Sequence, residues 1–115
     1  MTIISPNTLE TVLKAITEHK LSTVDEVLQQ IVHFFPWVSV QDLRSKKRSQ
    51  SIAAPRHLAF FILYDVLGIT YQAIGDLFKR DHSTVLCSVH KTRDELRKYP
   101  GATDSIEELS KAIRT

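Results

Sequence analysis

Five consecutive polar residues, Arg80-Asp81-His82-Ser83-Thr84, concentrate the hydrogen-bonding chemistry of this sequence in one place. Asp, His and Ser are the residue types of a hydrolase triad. Consecutive helical residues point in different directions, however, and cannot align a base with a nucleophile. The same carboxylate, imidazole, hydroxyl and guanidinium groups can hydrogen-bond to the base edges and phosphates of a nucleic acid duplex. The pattern therefore favours a binding site over a catalytic one, and we expect no enzymatic activity.

A basic stretch lies upstream, at Arg44-Ser45-Lys46-Lys47-Arg48, and its polar composition predicts a loop. Residues 42–98 contain eleven Lys or Arg against six Asp or Glu, a net charge of +5, whereas residues 1–41 carry −2 and residues 99–115 carry −1. A locally basic surface indicates a polyanionic partner. The stretch could also be a solvated charged turn. Attachment to an anionic membrane would need an amphipathic basic helix, which the sequence does not provide.

Composition excludes several other classes of function. The 115 residues include one cysteine, Cys87, so neither an internal disulfide nor a cysteine-based zinc site is possible. The histidines are scattered, and three glycines cannot build a nucleotide-binding phosphate loop. The first residues do not resemble a signal peptide, and no apolar run approaches the ~20 residues of a membrane span. We expect a cytoplasmic protein without a metal, a cofactor or a small-molecule substrate.

Apolar spacing and capping residues predict an all-α helical bundle that contains a helix-turn-helix. Ser22 or Thr23 should cap the second helix, and Ser39 should cap a short third one. Pro36 should end the second helix, and Gly68 should end a long helix that Ser51 caps and that carries Pro55 in its first turn. Lys79-Arg80 forms a tight connection between the two helices that follow. The expected helices cover residues 6–20, 24–35, 40–44, 52–67, 71–78 and 81–98, with a last helix that starts near residue 103.

The amino-acid sequence of the predicted helices 71–78 and 81–98 is more specific for one family than their apolar pattern is. Residues 73–85, AIGDLFKRDHSTV, closely resemble the signature of the C-terminal DNA-binding domain of DnaA, the bacterial replication initiator. Residues 42–49 resemble the basic loop of that family, and residues 52–59 resemble the start of its following helix. The resemblance covers residues 22–115 and predicts one DNA-binding domain there. Residues 1–21 match nothing recognisable and form a predicted N-terminal helix of unknown role.

The resemblance implies a role for each matching position. Arg48 matches an arginine that enters the minor groove and favours narrow, A·T-rich grooves. Arg56 matches an arginine near the DNA backbone, and residues 80–84 match the start of the recognition helix in the major groove. Lysines around them are general candidates for phosphate contacts. The predicted DNA-binding residues are Lys46, Lys47, Arg48, Arg56, Lys79, Arg80, Asp81, His82, Ser83 and Thr84.

Three departures from the family pattern bear on the target sequence. Lys79 stands alone where the family usually has two residues, often glycines; Tyr71-Gln72 replaces an apolar–proline pair; and Tyr64 stands at a position that is often basic. The resemblance implies sequence-specific binding to double-stranded DNA at DnaA-box-like sites, in replication initiation or its regulation. The alternative is a regulator that acts mainly through protein contacts, with residues 1–21 docking on a replication protein.

Overall fold

The structure is a computed structural model that describes residues 11, 15, 23–46 and 49–98. Every regular element in this part of the chain is helical, which confirms the predicted all-α fold. The predicted helix beyond residue 103 lies outside the described residues, as do Lys47, Arg48 and all of the predicted helix 6–20 except residues 11 and 15. The elements are α1 (Val24–Phe34), α2 (Val40–Arg44), α3 (Gln50–Phe61), a π-helical turn (Ile62–Val66), α4 (Tyr71–Phe78) and α5 (His82–Arg97).

Two capping boxes define where α1 and α2 begin. The Thr23 hydroxyl accepts the backbone N–H of Glu26 at 3.2 Å, and the Glu26 carboxylate accepts the backbone N–H of Thr23 at 3.3 Å. Ser39 and Asp42 make the same reciprocal pair at 3.0 and 3.2 Å. Each cap satisfies backbone donors that the first helical turn leaves without partners. The predicted caps of both helices are thereby confirmed.

The start of α3 differs from the prediction, because Ser49 rather than Ser51 is its N-cap residue and the helix begins at Gln50. Pro55 therefore lies in the second turn, where its missing N–H leaves the carbonyl of Ser51 outside the helical ladder. The indole N–H of Trp37 donates to this carbonyl at 2.9 Å. Trp37 is 61% exposed, yet this bond and an edge-to-face contact with Phe35 at 5.4 Å hold it in place.

Helix α3 is the centre of the hydrophobic core, and it packs against both α1 and α5. Phe60 of α3 meets Phe78, the last residue of α4, edge to face with ring centroids 4.8 Å apart. Both rings are almost completely buried, which fixes the end of α4 against the core. The other large and fully buried side chains are Leu28, Ile31, Leu43, Leu58, Phe61, Ile62 and Leu63.

The predicted helix 52–67 ends at Gly68 as expected, but its last turn is π-helical. The Leu67 N–H donates to the Ile62 carbonyl at 3.1 Å, and Gly68 has a φ of 75° that suits its lack of a Cβ. The widened turn presents Tyr64 and Asp65 to the following helices. Tyr64 stacks on Tyr71 with ring centroids 4.0 Å apart, which fastens the turn to α4.

The Trp37–Ser51 bond can be tested with a double-mutant cycle. Trp37→Phe keeps an aromatic ring against Phe35 but removes the indole donor, and should cost about 0.5–1.5 kcal/mol of unfolding free energy. In a Pro55→Ala background the restored backbone N–H can reach the Ser51 carbonyl. The same change should then cost less, by a coupling energy of about 0.5–1 kcal/mol. Urea denaturation followed by circular dichroism measures both costs, and equal costs in the two backgrounds would refute the assignment.

Candidate nucleic-acid interface

A turn of minimal length joins α4 to α5. Lys79 adopts the left-handed conformation, with φ 54° and ψ 48°, and the Arg80 N–H donates to the Gly75 carbonyl at 2.8 Å. Gly75 lies directly beneath this turn, since a Cβ at that position would stand 2.6 Å from the Arg80 carbonyl oxygen. The Thr70 hydroxyl caps α4 by accepting the Ala73 N–H at 3.1 Å. The tight connection predicted at Lys79-Arg80 is therefore confirmed.

The tip of α5 presents polar side chains to solvent. Helix α5 begins at His82, one residue later than predicted, and the Asp81 carbonyl accepts the N–H groups of Thr84 at 3.0 Å and Val85 at 3.3 Å. The side chains of Asp81 and His82 are 69% and 59% exposed and lie 3.3 Å apart, Oδ1 to Nδ1. Ser83 and Thr84 are also exposed. These four residues form one accessible hydrogen-bonding surface, which we call the α5 tip.

Arg80 precedes the α5 tip in sequence but points in another direction. Its Nη2 donates to the backbone carbonyl of Ser45 at 2.6 Å, and the residue is half-buried. This bond joins the start of α5 to the residue that opens the basic loop, which we define as residues 46–49. Its predicted role in DNA binding stays a prediction, but the side chain has an internal partner that the sequence did not reveal.

Arg56 is more deeply enclosed, at 5% exposure. Its Nε donates to the Leu43 carbonyl at 3.0 Å, and its Nη2 donates to the Asp42 carbonyl at 2.8 Å. Burial lowers the pKa of Arg56 below its usual value, and the nearby positive charge of Arg80 lowers it further. These contacts give Arg56 a structural role at the end of α2, and its expected contact with the DNA backbone stays a prediction.

A third arginine, Arg44 of the basic stretch, also has partners within the protein. Arg44 pairs with Asp25 at 2.9 Å, and its guanidinium carbon lies 5.9 Å from the centre of the Phe78 ring. The two described lysines among the predicted contacts, Lys46 and Lys79, are exposed. The positive charge that reaches the surface beside the α5 tip therefore includes these lysines.

A groove with a volume of about 380 Å³ runs between α3 and α5, next to the α5 tip. His57 lies on its α3 side, and its Nδ1 is hydrogen-bonded to the hydroxyl of Ser88. Burial lowers the pKa of His57 from 6.5, with smaller contributions from the charges of Lys91, Arg56 and Arg80. Sequence reasoning treated His57 as one of several scattered histidines, because its position depends on how α3 and α5 pack. The lining residues are His57, Ser83, Thr84, Cys87, Ser88 and Lys91.

The described residues set two further bounds on the site. No cluster of three or more His, Cys, Asp or Glu side chains that could hold a metal ion occurs among them. Likewise, none of the helices described is long and apolar enough to cross a membrane.

Two helices joined by a three-residue turn, with exposed polar side chains at the start of the second, define the class of helix-turn-helix DNA-binding domains. A family model described as the bacterial DnaA protein helix-turn-helix matches residues 24–92, well over half of the chain. The chain belongs to this family, which confirms the resemblance found in the sequence.

Curated relatives agree with the family match. The chain is 30% identical over 103 residues to the chromosomal replication initiator protein DnaA of Caldanaerobacter subterraneus, covering 89% of the chain and 23% of the relative. It is 33% identical over 117 residues to DnaA of Acholeplasma laidlawii, covering 96% and 26%. DnaA of Onion yellows phytoplasma is 33% identical over 90 residues, covering 78% and 18%. The chain thus spans about a quarter or less of the length of these relatives.

The backbone of the turn yields a prediction about stability. Gly75→Ala should destabilise the domain by about 1–3 kcal/mol, because the new methyl group would displace the backbone that carries Arg80. Lys79→Gly should stabilise it by about 1 kcal/mol, because glycine adopts the left-handed conformation without steric cost. Thermal and urea unfolding of the two variants checks both signs. Tolerance of alanine at position 75 would contradict the close approach of turn and helix.

The burial of His57 predicts a loss of stability in acid. Its lowered pKa means that the unfolded chain takes up a proton more readily than the folded one, so stability is complete above pH 6.5 and falls as the pH drops below that value. His57→Gln keeps a hydrogen-bonding group near Ser88 but cannot gain this charge, and should lose less stability. Melting temperatures at about pH 7.5 and about pH 5.5, on either side of the usual histidine pKa, provide the comparison. An identical acid dependence in both proteins would exclude His57 as the cause.

Proposed function

We propose that this domain binds double-stranded DNA sequence-specifically, at DnaA-box-like sites, and serves replication initiation or its regulation. The observation that carries the proposal is the α5 tip, whose side chains are exposed while the helix behind them is anchored in the core. Val85 and Val89 of α5 are fully buried, so the helix is fixed against α3 and α4 while its polar end faces outward. This is the arrangement that major-groove recognition requires.

Each residue of the α5 tip has a chemical role in this proposal. Asp81 accepts a hydrogen bond from the N4 amino group of a cytosine, and the ring of His82 packs on a thymine methyl group. The hydroxyls of Ser83 and Thr84 bind base edges or phosphates. The Asp81–His82 contact at 3.3 Å holds the two side chains side by side, which favours adjacent base steps as their targets.

Charged residues around the α5 tip supply affinity and a second point of recognition. Lys46, Lys47 and Lys79 bind phosphates, whereas Arg48 enters the minor groove and selects an A·T-rich flank. Arg56 and Arg80 lie at the same edge of the domain, with their guanidinium groups directed at backbone carbonyls. Phosphate contacts raise affinity for any duplex, so sequence preference depends on the α5 tip and on Arg48.

The preferred site should differ from that of more typical family members. Tyr71 and Tyr64 lie at two of the three places where this sequence departs from the family pattern, and their rings lie parallel within 4°. Burial and the hydrogen bond with Tyr64 raise the pKa of Tyr71 to about 12. The first turn of α4 therefore offers a neutral, stacked aromatic pair and the exposed Gln72 to the DNA.

The experiment that tests the function is in vitro selection from random duplexes, followed by titration of the selected site. Asp81→Ala and His82→Ala should each cost about 1–3 kcal/mol of binding free energy at that site and broaden the selected sequences. Lys46→Ala should weaken binding to all duplexes alike and reduce the salt slope by about one unit.

Asp94→Ala is a matched control, because Asp94 is an exposed acid near the far end of α5, paired with Arg97 at 3.5 Å. It should leave the selected sequence unchanged. If Asp81→Ala behaved like Asp94→Ala, the α5 tip would not be the base-reading surface.

A further inference from the structure

The basic loop and the α5 tip are joined by a direct contact between side chain and backbone. Arg80 immediately precedes the tip, and its Nη2 lies 2.6 Å from the carbonyl oxygen of Ser45, the residue before the loop. The two residues are 35 positions apart in sequence. This contact fixes the place at which the loop leaves the domain relative to the place at which α5 begins.

Both ends of this contact are held by further bonds. The Arg80 N–H donates to the Gly75 carbonyl at 2.8 Å, and the Arg80 carbonyl packs over Gly75 so closely that no Cβ would fit. The Ser45 N–H and hydroxyl both donate to the Asp42 carbonyl, at 3.1 and 2.7 Å. Because the backbone is held at both Arg80 and Ser45, a shift of either residue would move the other through the contact between them.

Arg56 completes the support on the loop side. It donates to the carbonyls of Asp42 and Leu43 in the last turn of α2, and it shares the Asp42 carbonyl with the N–H and hydroxyl of Ser45. The positive charges of two guanidinium groups face the negative end of this short helix, where cations are favourable. Because both guanidinium groups donate to these backbone carbonyls, Arg56 and Arg80 can lie close together despite their like charges.

We propose that Arg80, supported by Arg56, is a positioning residue that couples the basic loop to the α5 tip, so that the two elements recognise one DNA site as a unit. The inference rests on the proposed function. It gives Arg80 an effect on flank selection, which is the task assigned to Arg48, rather than a base or phosphate contact of its own. An arginine suits this role because its planar fork of donors can satisfy carbonyls in a half-buried setting.

A double-mutant cycle on two duplexes tests the coupling. The duplexes share the selected core site and differ only in an A·T-rich or G·C-rich flank, and the proteins are wild type, Arg80→Met, Arg48→Ala and the double variant. Arg80→Met should reduce the preference for the A·T-rich flank about fivefold or more, although Arg48 is intact. In the Arg48→Ala background the same change should leave the flank ratio unaltered, because nothing remains to be positioned.

Three other results would contradict the inference, and each can be told apart from the others. If Arg80→Met weakened both duplexes alike and reduced the salt slope by about one unit in either background, Arg80 would be a phosphate contact and the inference would fail. If the wild type showed no sequence preference, the proposed function would fail and the inference with it. If the wild type preferred the A·T-rich flank and Arg80→Met kept the same preference, the inference would fail while the proposed function would stand.

The DNA-free protein supplies a readout that does not depend on binding. The amide signals of Lys46 and Ser49 in a ¹H–¹⁵N spectrum should move in Arg80→Met, and should stay in place in Lys79→Met, which removes the neighbouring exposed charge. Arg80→Lys keeps the charge without the fork, and should shift the same signals and lower the flank preference even if Arg80→Met melts too readily to assay. Unmoved loop signals in both Arg80 variants would show that Arg80 does not hold the loop.

Discussion

The absence of a side chain at position 75 sets how closely α4 approaches the start of α5. An added Cβ would stand 2.6 Å from the Arg80 carbonyl oxygen, a distance at which the backbone must shift. Because only Lys79, Arg80 and Asp81 separate the two helices, the approach at Gly75 and the left-handed conformation of Lys79 require each other. The direction of α5, the exposure of its tip and the position of Arg80 all follow from this packing.

Two positive charges near the core repel each other, yet Arg56 and Arg80 lie beside one another at the interface of α2, α3 and α5. Their donors are directed at the carbonyls of Asp42, Leu43 and Ser45, where the backbone of a short helix ends. Hydrogen bonds to these carbonyls offset part of the cost of desolvating two cations. A helix of five residues is too short to be stable alone, so the arginines also help to retain α2.

Sequence reasoning succeeded where a local rule decides the structure. The caps at Thr23 and Ser39 and the stop at Gly68 depend on residues within one turn of each other, and all were predicted. The tight turn at Lys79-Arg80 was also predicted, although it extends to Asp81 because α5 begins at His82. Residues 80–84 were predicted to bind DNA on their residue types and on the family signature. The structure exposes residues 81–84 and half-buries Arg80, and the binding role stays a prediction.

The failures arise where partners are distant in sequence. Nothing in the neighbourhood of Arg80 indicates that its guanidinium reaches Ser45, and the enclosed positions of Arg56 and His57 depend on how α3 meets α2 and α5. The start of α3 was misplaced by two residues because Ser51 fits a capping pattern, whereas Ser49 is the cap residue without a side-chain cap bond. The π-helical turn likewise reflects tertiary packing, since the sequence before Gly68 predicts a regular α-helix.

The division of labour between arginine and lysine follows from the same geometry. Arg56 and Arg80 are directed at backbone carbonyls and Arg44 pairs with the exposed Asp25 near the Phe78 ring, while Lys46 and Lys79 have exposed side chains. A guanidinium is weakly hydrated and has several donors in fixed directions, so it suits enclosed carbonyls; an ammonium group is strongly hydrated and suits mobile contacts with phosphates. The net charge of the basic region therefore overstates the charge available to a polyanion, because part of it maintains the architecture that carries the rest.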